Sequence, residues 1–238
     1  MALTDAQIEA LEMNTDEESQ AGLKLKGVPG VERINTLSDG VFAIVITLLV
    51  LELRVPEIPS QFVKELLPIA LRETLPKVAS HIVSFVVLGI YWVGHHNMFM
   101  HIKRHDRVLL WLNILFLMCV ASMPFPTGLI VQYGQSEWPV IIYAATLVAT
   151  GLSLDLIWWY ATSNRRLVSQ DMSDDLVTFV HRRVLTAPVI YLIALLISLV
   201  NINLAKLLFL ATALLYILPN PLDHHHQKEA HKKANATE

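Results

Sequence analysis

The chain has 238 residues, of which 54% are hydrophobic and only 16% are charged, and its formal net charge is -3. Soluble domains carry about 25% charged residues, so this composition excludes an ordinary soluble enzyme and indicates an integral membrane protein. The single cysteine, Cys119, excludes an intrachain disulfide and a cysteine-based metal site.

Six stretches with almost no Asp, Glu, Lys or Arg predict six transmembrane helices. A spanning helix needs about 20 mainly apolar residues, and the middle stretches reach that length. In chain order the stretches are 34–51, 78–102, 108–136, 138–164, 184–205 and 207–222. Asp39 and Asp155 are their only charged interruptions. We therefore predict an all-α integral membrane protein with six transmembrane helices per chain in a domain over 31–220.

The segments that flank these stretches complete the predicted organisation. Residues 1–30 are acidic and then basic, lack the pattern of a cleavable signal peptide, and are predicted to be a cytosolic segment. Residues 61–72 are expected to form a short amphipathic helix on the outer surface. Pro124, Pro126 and Gly128 predict a kink in the third helix. Residues 221–238 are polar and are predicted to be a flexible cytosolic tail.

The positions of the basic residues predict the orientation of the chain. Most of the 18 lysines and arginines fall on the side of the membrane that holds the N-terminus. The positive-inside rule therefore places both termini in the cytosol. The chain is expected to be a multi-pass protein of a prokaryotic plasma membrane.

The first predicted helix carries an acidic residue near its cytosolic end. An ionisable side chain inside an apolar segment usually has a polar partner or marks an ion path. Asp39 either attracts cations at the inner mouth of such a path or is neutralised by Arg33. Further along the same helix, Ile44, Leu48 and Leu51 are spaced to share one face.

The start of this helix resembles a known family. Arg33-x-x-x-Leu37-Ser38-Asp39 resembles the R-x-x-x-F-S-D motif of the transmembrane protein 175 family of potassium channels, in its prokaryotic form with one six-helix repeat per chain. Leu37 stands where the family has Phe. The resemblance also covers the following elements in the expected order: residues 47–53, Tyr91-Trp92, His95-His96, Asn113 and Pro124-Phe125-Pro126.

The resemblance implies a homotetramer in which the first helix of each chain lines a central pore. It implies a potassium-permeable cation channel that lacks a T-V-G-Y-G filter, is not an enzyme and needs no cofactor beyond the permeant K⁺ ion. Its implied pore-lining and selectivity residues are Ile44, Thr47, Leu48 and Leu51, with Ile44 at the narrowest ring. Its implied structural polar network is Arg33, Ser38, Asp39, His95 and Asn113. Other monovalent cations and membrane lipids are further expected partners.

Two other functions remain open from the residues alone. A proton-coupled secondary transporter would use Asp39, His95 and Asp155. A membrane metalloenzyme would use a histidine cluster, although adjacent His95 and His96 point about 100° apart on a helix. The cluster comprises His95, His96, His101 and His105. For the separate histidine run at 224–226, a solvated tail is favoured over a metal site. The arginine pairs at 165–166 and 182–183 are explained by membrane topology and contact with lipid headgroups, not by nucleic-acid binding.

Overall fold

A computed structural model describes residues 29–217, and the chain is helical over most of that range. The helices are α1 Pro29–Leu48, α2 Val63–His101, α3 Arg107–Ala121, α4 Pro124–Tyr133, α5 Glu137–Thr162, α6 Asp174–Ser198 and α7 Ile202–Ile217. Leu49–Glu52 continues α1 as a 3-10 turn. The predictions for the N-terminal segment before Pro29 and for the histidine-rich tail lie outside the described residues.

Within residues 29–217, five helical stretches are long and apolar enough to cross a membrane. They are Gly30–Glu52, Ser60–His101, Arg107–Tyr133, Glu137–Arg165 and Asp174–Ser198. The sixth helix, α7, is apolar but has only 16 described residues. At about 1.5 Å per residue these 16 residues cover about 24 Å of the roughly 30 Å hydrocarbon core of a bilayer. The described part of the chain is therefore all-α, with five helical stretches of spanning length and one further apolar helix, α7.

The prediction for the second helix was wrong at its beginning. The separate surface helix expected over 61–72 is instead the first part of α2, which runs for 39 residues and contains Pro68 and Pro76. Each proline removes one backbone N–H and one helical hydrogen bond, but the rest of the ladder continues through both positions. A helix of this length extends beyond the apolar stretch on which the prediction relied.

The predicted kink in the third span is confirmed. The helix ends at Ala121 and begins again at Pro124, so α3 and α4 together form one interrupted rod. Proline is favoured in the first turn of a helix, where its missing N–H has no intrahelical acceptor to lose. After the break, α4 packs against α2 and α5.

The predicted bounds of the last two helices were also displaced. α6 begins at Asp174, ten residues before the stretch expected to span, and it includes Arg182 and Arg183. Its first turn is capped by Ser173, whose hydroxyl oxygen accepts a hydrogen bond from Leu176 N at 3.2 Å. The absence of charge marks the apolar part of a span, whereas the helix itself continues through the charged residues at its end.

The helices pack so that α1 lies at one edge of the chain. α1 contacts α2 and α3, while α5 packs against α3, α4 and α6. At the crossing of α5 and α6 a Cβ atom at Gly151 would lie 2.3 Å from Pro188 Cγ, so only glycine permits this close approach. The core of the chain is thus built around α5, and one long face of α1 is left uncovered.

Candidate functional site

One face of α1 is buried against the rest of the chain. The buried residues recur every three or four positions, as expected for one side of a helix. They are Val31, Ile34, Ser38, Phe42, Val45 and Leu49. Phe42 lies 5.9 Å from Phe116 of α3, measured between ring centroids. This face fixes the rotation of α1 about its own axis, and it therefore determines which residues face outward.

The opposite face of α1 carries all four residues that the resemblance places in a pore. Ile44 is 60% exposed, Leu48 42% and Leu51 69%, and Thr47 is also exposed. Leu37, which replaces the aromatic residue of the family motif, lies on the same side at 54% exposure. From Leu37 to Leu51 the exposed face therefore forms a mainly apolar stripe, in which Thr47 provides a hydroxyl group.

The hydroxyl of Thr47 is oriented by its own helix. Its Oγ1 donates to Ala43 O at 3.0 Å and lies 2.8 Å from Ile44 O. A hydroxyl has one proton and two acceptor lone pairs. Because the proton is used within α1, the group presents an oxygen lone pair to any cation that approaches the exposed face.

A buried hydrogen-bonded chain joins α1 to α2 and α3. Asn113 Nδ2 of α3 donates to Ser38 Oγ at 3.1 Å, and His95 Nε2 of α2 lies 2.9 Å from Asn113 Oδ1. Ser38 Oγ in turn donates to Ile34 O at 2.9 Å. All three side chains are at most 2% exposed. The structure thus brings together Ser38, His95 and Asn113, three of the five residues expected in the polar network.

The direction of these hydrogen bonds places a proton on Nε2 of the His95 ring. The Ser38 hydroxyl gives its only proton to the backbone, so it accepts from the amide nitrogen of Asn113, and the Asn113 oxygen then accepts from His95 Nε2–H. The His95 ring is also stacked between aromatic side chains. Its centroid lies 4.2 Å from that of Phe99 and 5.4 Å from that of Phe116. Packing and hydrogen bonds together hold the imidazole in one orientation.

The other two residues expected in the network lie apart from these three hydrogen-bonded side chains. Asp39 is exposed, and its Oδ1 accepts a hydrogen bond from Trp92 Nε1 of α2 at 2.8 Å. Arg33 is exposed as well, and no ion pair joins it to Asp39. Six residues on a helix are separated by about 240°, so the two side chains leave α1 in different directions. Trp92, not Arg33, is the residue that contacts the carboxylate.

The opposite end of α1 has an acidic residue near a small one. Glu52 is half-buried, and its Oε2 lies where a Cβ atom at Gly128 of α4 would come within 2.2 Å. Gly128 therefore provides the space that the Glu52 side chain occupies. The neighbouring loop residue Arg54 is exposed. Glu52 consequently packs on α4 at the end of the third span.

The second intramembrane acid has a histidine partner on the neighbouring helix. Asp155 of α5 lies 2.8 Å from His181 Nδ1 of α6, measured to Asp155 Oδ1. The sequence identified Asp155 as a charged interruption of the fourth apolar stretch but did not identify His181 as its partner. Asp39, His95 and Asp155 therefore have three different partners, namely Trp92, Asn113 and His181. These contacts do not form one continuous proton pathway.

The histidines near the end of α2 are used in packing. His96 stacks on Trp92 at 5.7 Å between centroids, and His101 lies edge-on to Trp158 at 6.3 Å. The His105 ring occupies the space beside Gly30 at the start of α1. Within residues 29–217, no three His, Cys, Asp or Glu side chains are grouped so that they could hold a metal ion. The described residues offer no centre of the kind that a metalloenzyme needs.

A polar contact outside the spans ties the start of α3 to the end of α5. Asp106 caps α3, with Oδ1 accepting from Leu109 N at 2.8 Å and Oδ2 accepting from Tyr160 Oη at 2.6 Å. Arg166 lies over the Tyr160 ring at 4.7 Å from its centroid. Partial burial raises the pKa of Asp106, but the two hydrogen bonds and the Arg166 charge outweigh it and hold the pKa below the usual 3.8.

We expect Asp106→Ala to lower the free energy of unfolding by about 1 kcal/mol, because it removes a helix cap. Asp106→Asn retains an oxygen acceptor and is the matched control. Because folding lowers the pKa of Asp106, its charge stabilises the protein above pH 3.8, and this contribution is lost as the pH falls through the lower folded-state value. Thermal unfolding in detergent should show a difference between wild type and Asp106→Ala that shrinks below pH 3.8. A difference that stays constant with pH would show that the ionised carboxylate makes no contribution.

Comparison with known proteins gives a consistent result. Residues 33–124 match the family model described as the endosomal/lysosomal potassium channel TMEM175. A Streptomyces collinus protein named a potassium channel is 40% identical over 139 residues, which are 57% of this chain and 66% of that one. A Chamaesiphon minutus protein, also named a potassium channel, is 33% identical over 174 residues, which are 71% of this chain and 85% of that one.

A solved structure supports the same relationship. The crystal structure of a lysosomal potassium-selective channel TMEM175 homolog from Chamaesiphon minutus superposes with a TM-score of 0.71 at 29% identity. The match covers 80% of this chain and 97% of that one. The two relatives described above are named as channels and not as enzymes.

Proposed function

This chain belongs to the TMEM175 family, and we propose that it is a potassium-permeable cation channel in which four chains place α1 around a common pore. The single observation that carries this proposal is the exposed stripe on α1. All four residues assigned to the pore lie on that stripe, while the reverse face of the helix is held by α2 and α3.

The composition of the stripe favours a pore over a surface that faces only lipid. Gly40 and Ala43 are small, which lets the backbones of neighbouring helices approach closely. Gly40 has no atom within 4 Å of where its Cβ would lie, so space remains there for a second copy of the chain. Thr47 adds an oxygen that can contact a cation after it has lost part of its water.

In this proposal Ile44 forms the narrowest ring and Leu48 and Leu51 form further apolar rings. A ring of apolar side chains excludes water when it is narrow, and it therefore closes the pore by dewetting. When the ring widens, K⁺ passes more readily than Na⁺ because it gives up its hydration water more easily. Without carbonyl coordination the preference for K⁺ is expected to be weaker than that of a carbonyl filter.

Proposed roles for the polar residues follow from their contacts. Ser38, His95 and Asn113 hold the rotation of α1, so that Ile44 faces the axis. Asp39, held by Trp92, contributes negative charge at the cytosolic mouth if the termini lie in the cytosol, as the basic residues predict. The channel acts in the plasma membrane of a prokaryote, binds no cofactor, and conducts K⁺ and other monovalent cations.

Single-channel recording tests this function. Purified full-length protein in a planar bilayer with K⁺ on one side and Na⁺ on the other should give unitary current steps that reverse toward the K⁺ equilibrium potential. Saturable flux that requires a pH gradient and shows no unitary steps would contradict a channel and support a transporter. Protein reconstituted with Asp155→Asn serves as a control, because Asp155 lies away from α1 and should leave the K⁺ current unchanged.

A further inference from the structure

A groove of about 790 Å³ lies between α2, α6 and α7, away from the exposed stripe of α1. Its walls are mainly apolar. Phe85 and Val93 of α2 line it and are 48% and 47% exposed, so the groove is open along its side. Gly89 also lines it, and a Cβ atom at that position would meet no atom within 4 Å. The side of the protein therefore has an apolar groove with room for another molecule beside α2.

The lining of this groove includes a charged side chain together with an amide and an imidazole. Asn97 and His101 come from the last two turns of α2, and Arg183 comes from the first half of α6. α6 is held beside this end of α2: Trp158 Nε1 donates to Val177 O at 3.1 Å, and the Trp158 ring contacts His101. A cation and two hydrogen-bonding groups thus lie at the end where α2 finishes and α6 begins.

Arg183 directly precedes the stretch 184–205 that is predicted to span the membrane, so it is expected near the lipid headgroups. It lies nine residues after the first residue of α6, about 14 Å along the helix at 1.5 Å per residue. A long basic side chain at the end of a span extends toward the membrane interface while its stem stays in apolar surroundings. On the predicted orientation this interface is the cytosolic one, and basic pockets between helices on that side bind anionic lipid headgroups.

We propose that this groove binds one anionic phospholipid, with an acyl chain along α2 beside Gly89 and the phosphate against Arg183. The guanidinium has five N–H donors and can contact a phosphate in addition to a protein group. Tyr216, whose hydroxyl donates to Arg183 O at 2.5 Å, holds the backbone of α6 at this point. The apolar walls match the acyl chain and the charge matches the phosphate.

An occupant of the groove would contact the residue that holds Asp39. Trp92 lines the groove, and its indole nitrogen bonds Asp39 of α1. Lipid occupancy therefore restricts the motion of Trp92 and with it the cytosolic end of α1. The binding site itself does not depend on potassium conduction, so the two proposals can fail independently.

Native mass spectrometry of the full-length protein in detergent tests the site, with equal amounts of phosphatidylglycerol and phosphatidylcholine as probes. We expect wild type to bind phosphatidylglycerol about tenfold more strongly, because both lipids offer a phosphate to Arg183 but the quaternary ammonium of phosphatidylcholine cancels the net charge of its headgroup and repels the guanidinium. Arg183→Gln should abolish the preference, whereas Arg182→Gln should keep it because Arg182 does not line the groove. Gly89→Phe should block binding by filling the groove, whereas Gly89→Ala should bind as wild type does.

Two results would overturn this proposal. Equal binding of both lipids in all variants would show only a non-specific lipid shell. No bound lipid in wild type would show that something else fills the groove, such as residues of this chain beyond Ile217. If Arg183→Gln fails to fold, the comparison of Gly89→Phe with Gly89→Ala still decides the outcome, because neither change alters a charge.

Discussion

Replacing Ile44 with asparagine is expected to raise the single-channel K⁺ conductance several-fold and to reduce the preference for K⁺ over Na⁺. Ile44 is 60% exposed on the stripe of α1, and in the proposed tetramer four copies form the narrowest ring. A ring of amides holds water, so the dewetted barrier that closes the pore is lost. Recordings in bilayers with K⁺ and Na⁺ on opposite sides measure both quantities at once.

Ile46→Asn is the matched control for this prediction. It introduces the same side chain two residues away, about 200° around the helix, on the partly buried side of α1. This change should weaken the packing of α1 without wetting the pore. An Ile44→Asn channel with unchanged conductance and unchanged selectivity would show that Ile44 is not at the constriction.

Replacing Asn113 with leucine is expected to lower the free energy of unfolding by about 1–3 kcal/mol, because it leaves buried polar groups without partners. The change removes the acceptor of His95 Nε2–H and the donor to Ser38 Oγ, and both partners are buried. Since these hydrogen bonds join α1 to α2 and α3, the orientation of the pore-lining face should become less well defined. Thermal unfolding in detergent measures the stability.

A double-mutant cycle gives this second prediction a sharp control. Ser38→Ala and Asn113→Leu share one hydrogen bond, so the double variant should lose less stability than the two single variants added together. Thr36→Val, on the exposed side of α1 with its hydroxyl donating to Glu32 O of the same helix, should change little. Strict additivity of Ser38→Ala and Asn113→Leu would show that the hydrogen bond between them has no energetic role.

The positions of charged residues predicted where the apolar helices lie better than they predicted the bounds of those helices. The stretches at 34–51 and 138–164 lie close to α1 and α5, because in those helices the apolar part and the helix nearly coincide. The prediction was wrong for α2 and α6, whose helices continue well past the apolar part into residues near Val63 and Asp174. Hydropathy shows where lipid is expected, whereas helix bounds follow the hydrogen-bond ladder and its caps.

Only part of the candidate site could be predicted from the sequence. Period-3.6 spacing places Ile44, Leu48 and Leu51 on one face, but it does not say whether that face meets the core, the lipid or another copy. The contact of Trp92 with Asp39 was missed. His181 and its pairing with Asp155 were missed as well. Such contacts depend on the tilt and rotation of two helices, which no single helix encodes in its own periodicity.

Block by Cd²⁺ of a cysteine at position 44 tests most directly whether α1 lines the conduction pathway. Ile44→Cys and Ile46→Cys would be compared in a Cys119→Ser background, which removes the only native thiol. Thiolates are strong ligands for soft metal ions, and four of them around one axis form a ready site. We predict that Cd²⁺ blocks the K⁺ current through the Ile44→Cys channel and leaves Ile46→Cys unaffected. A current through Ile44→Cys that Cd²⁺ does not change would contradict a pore built from α1.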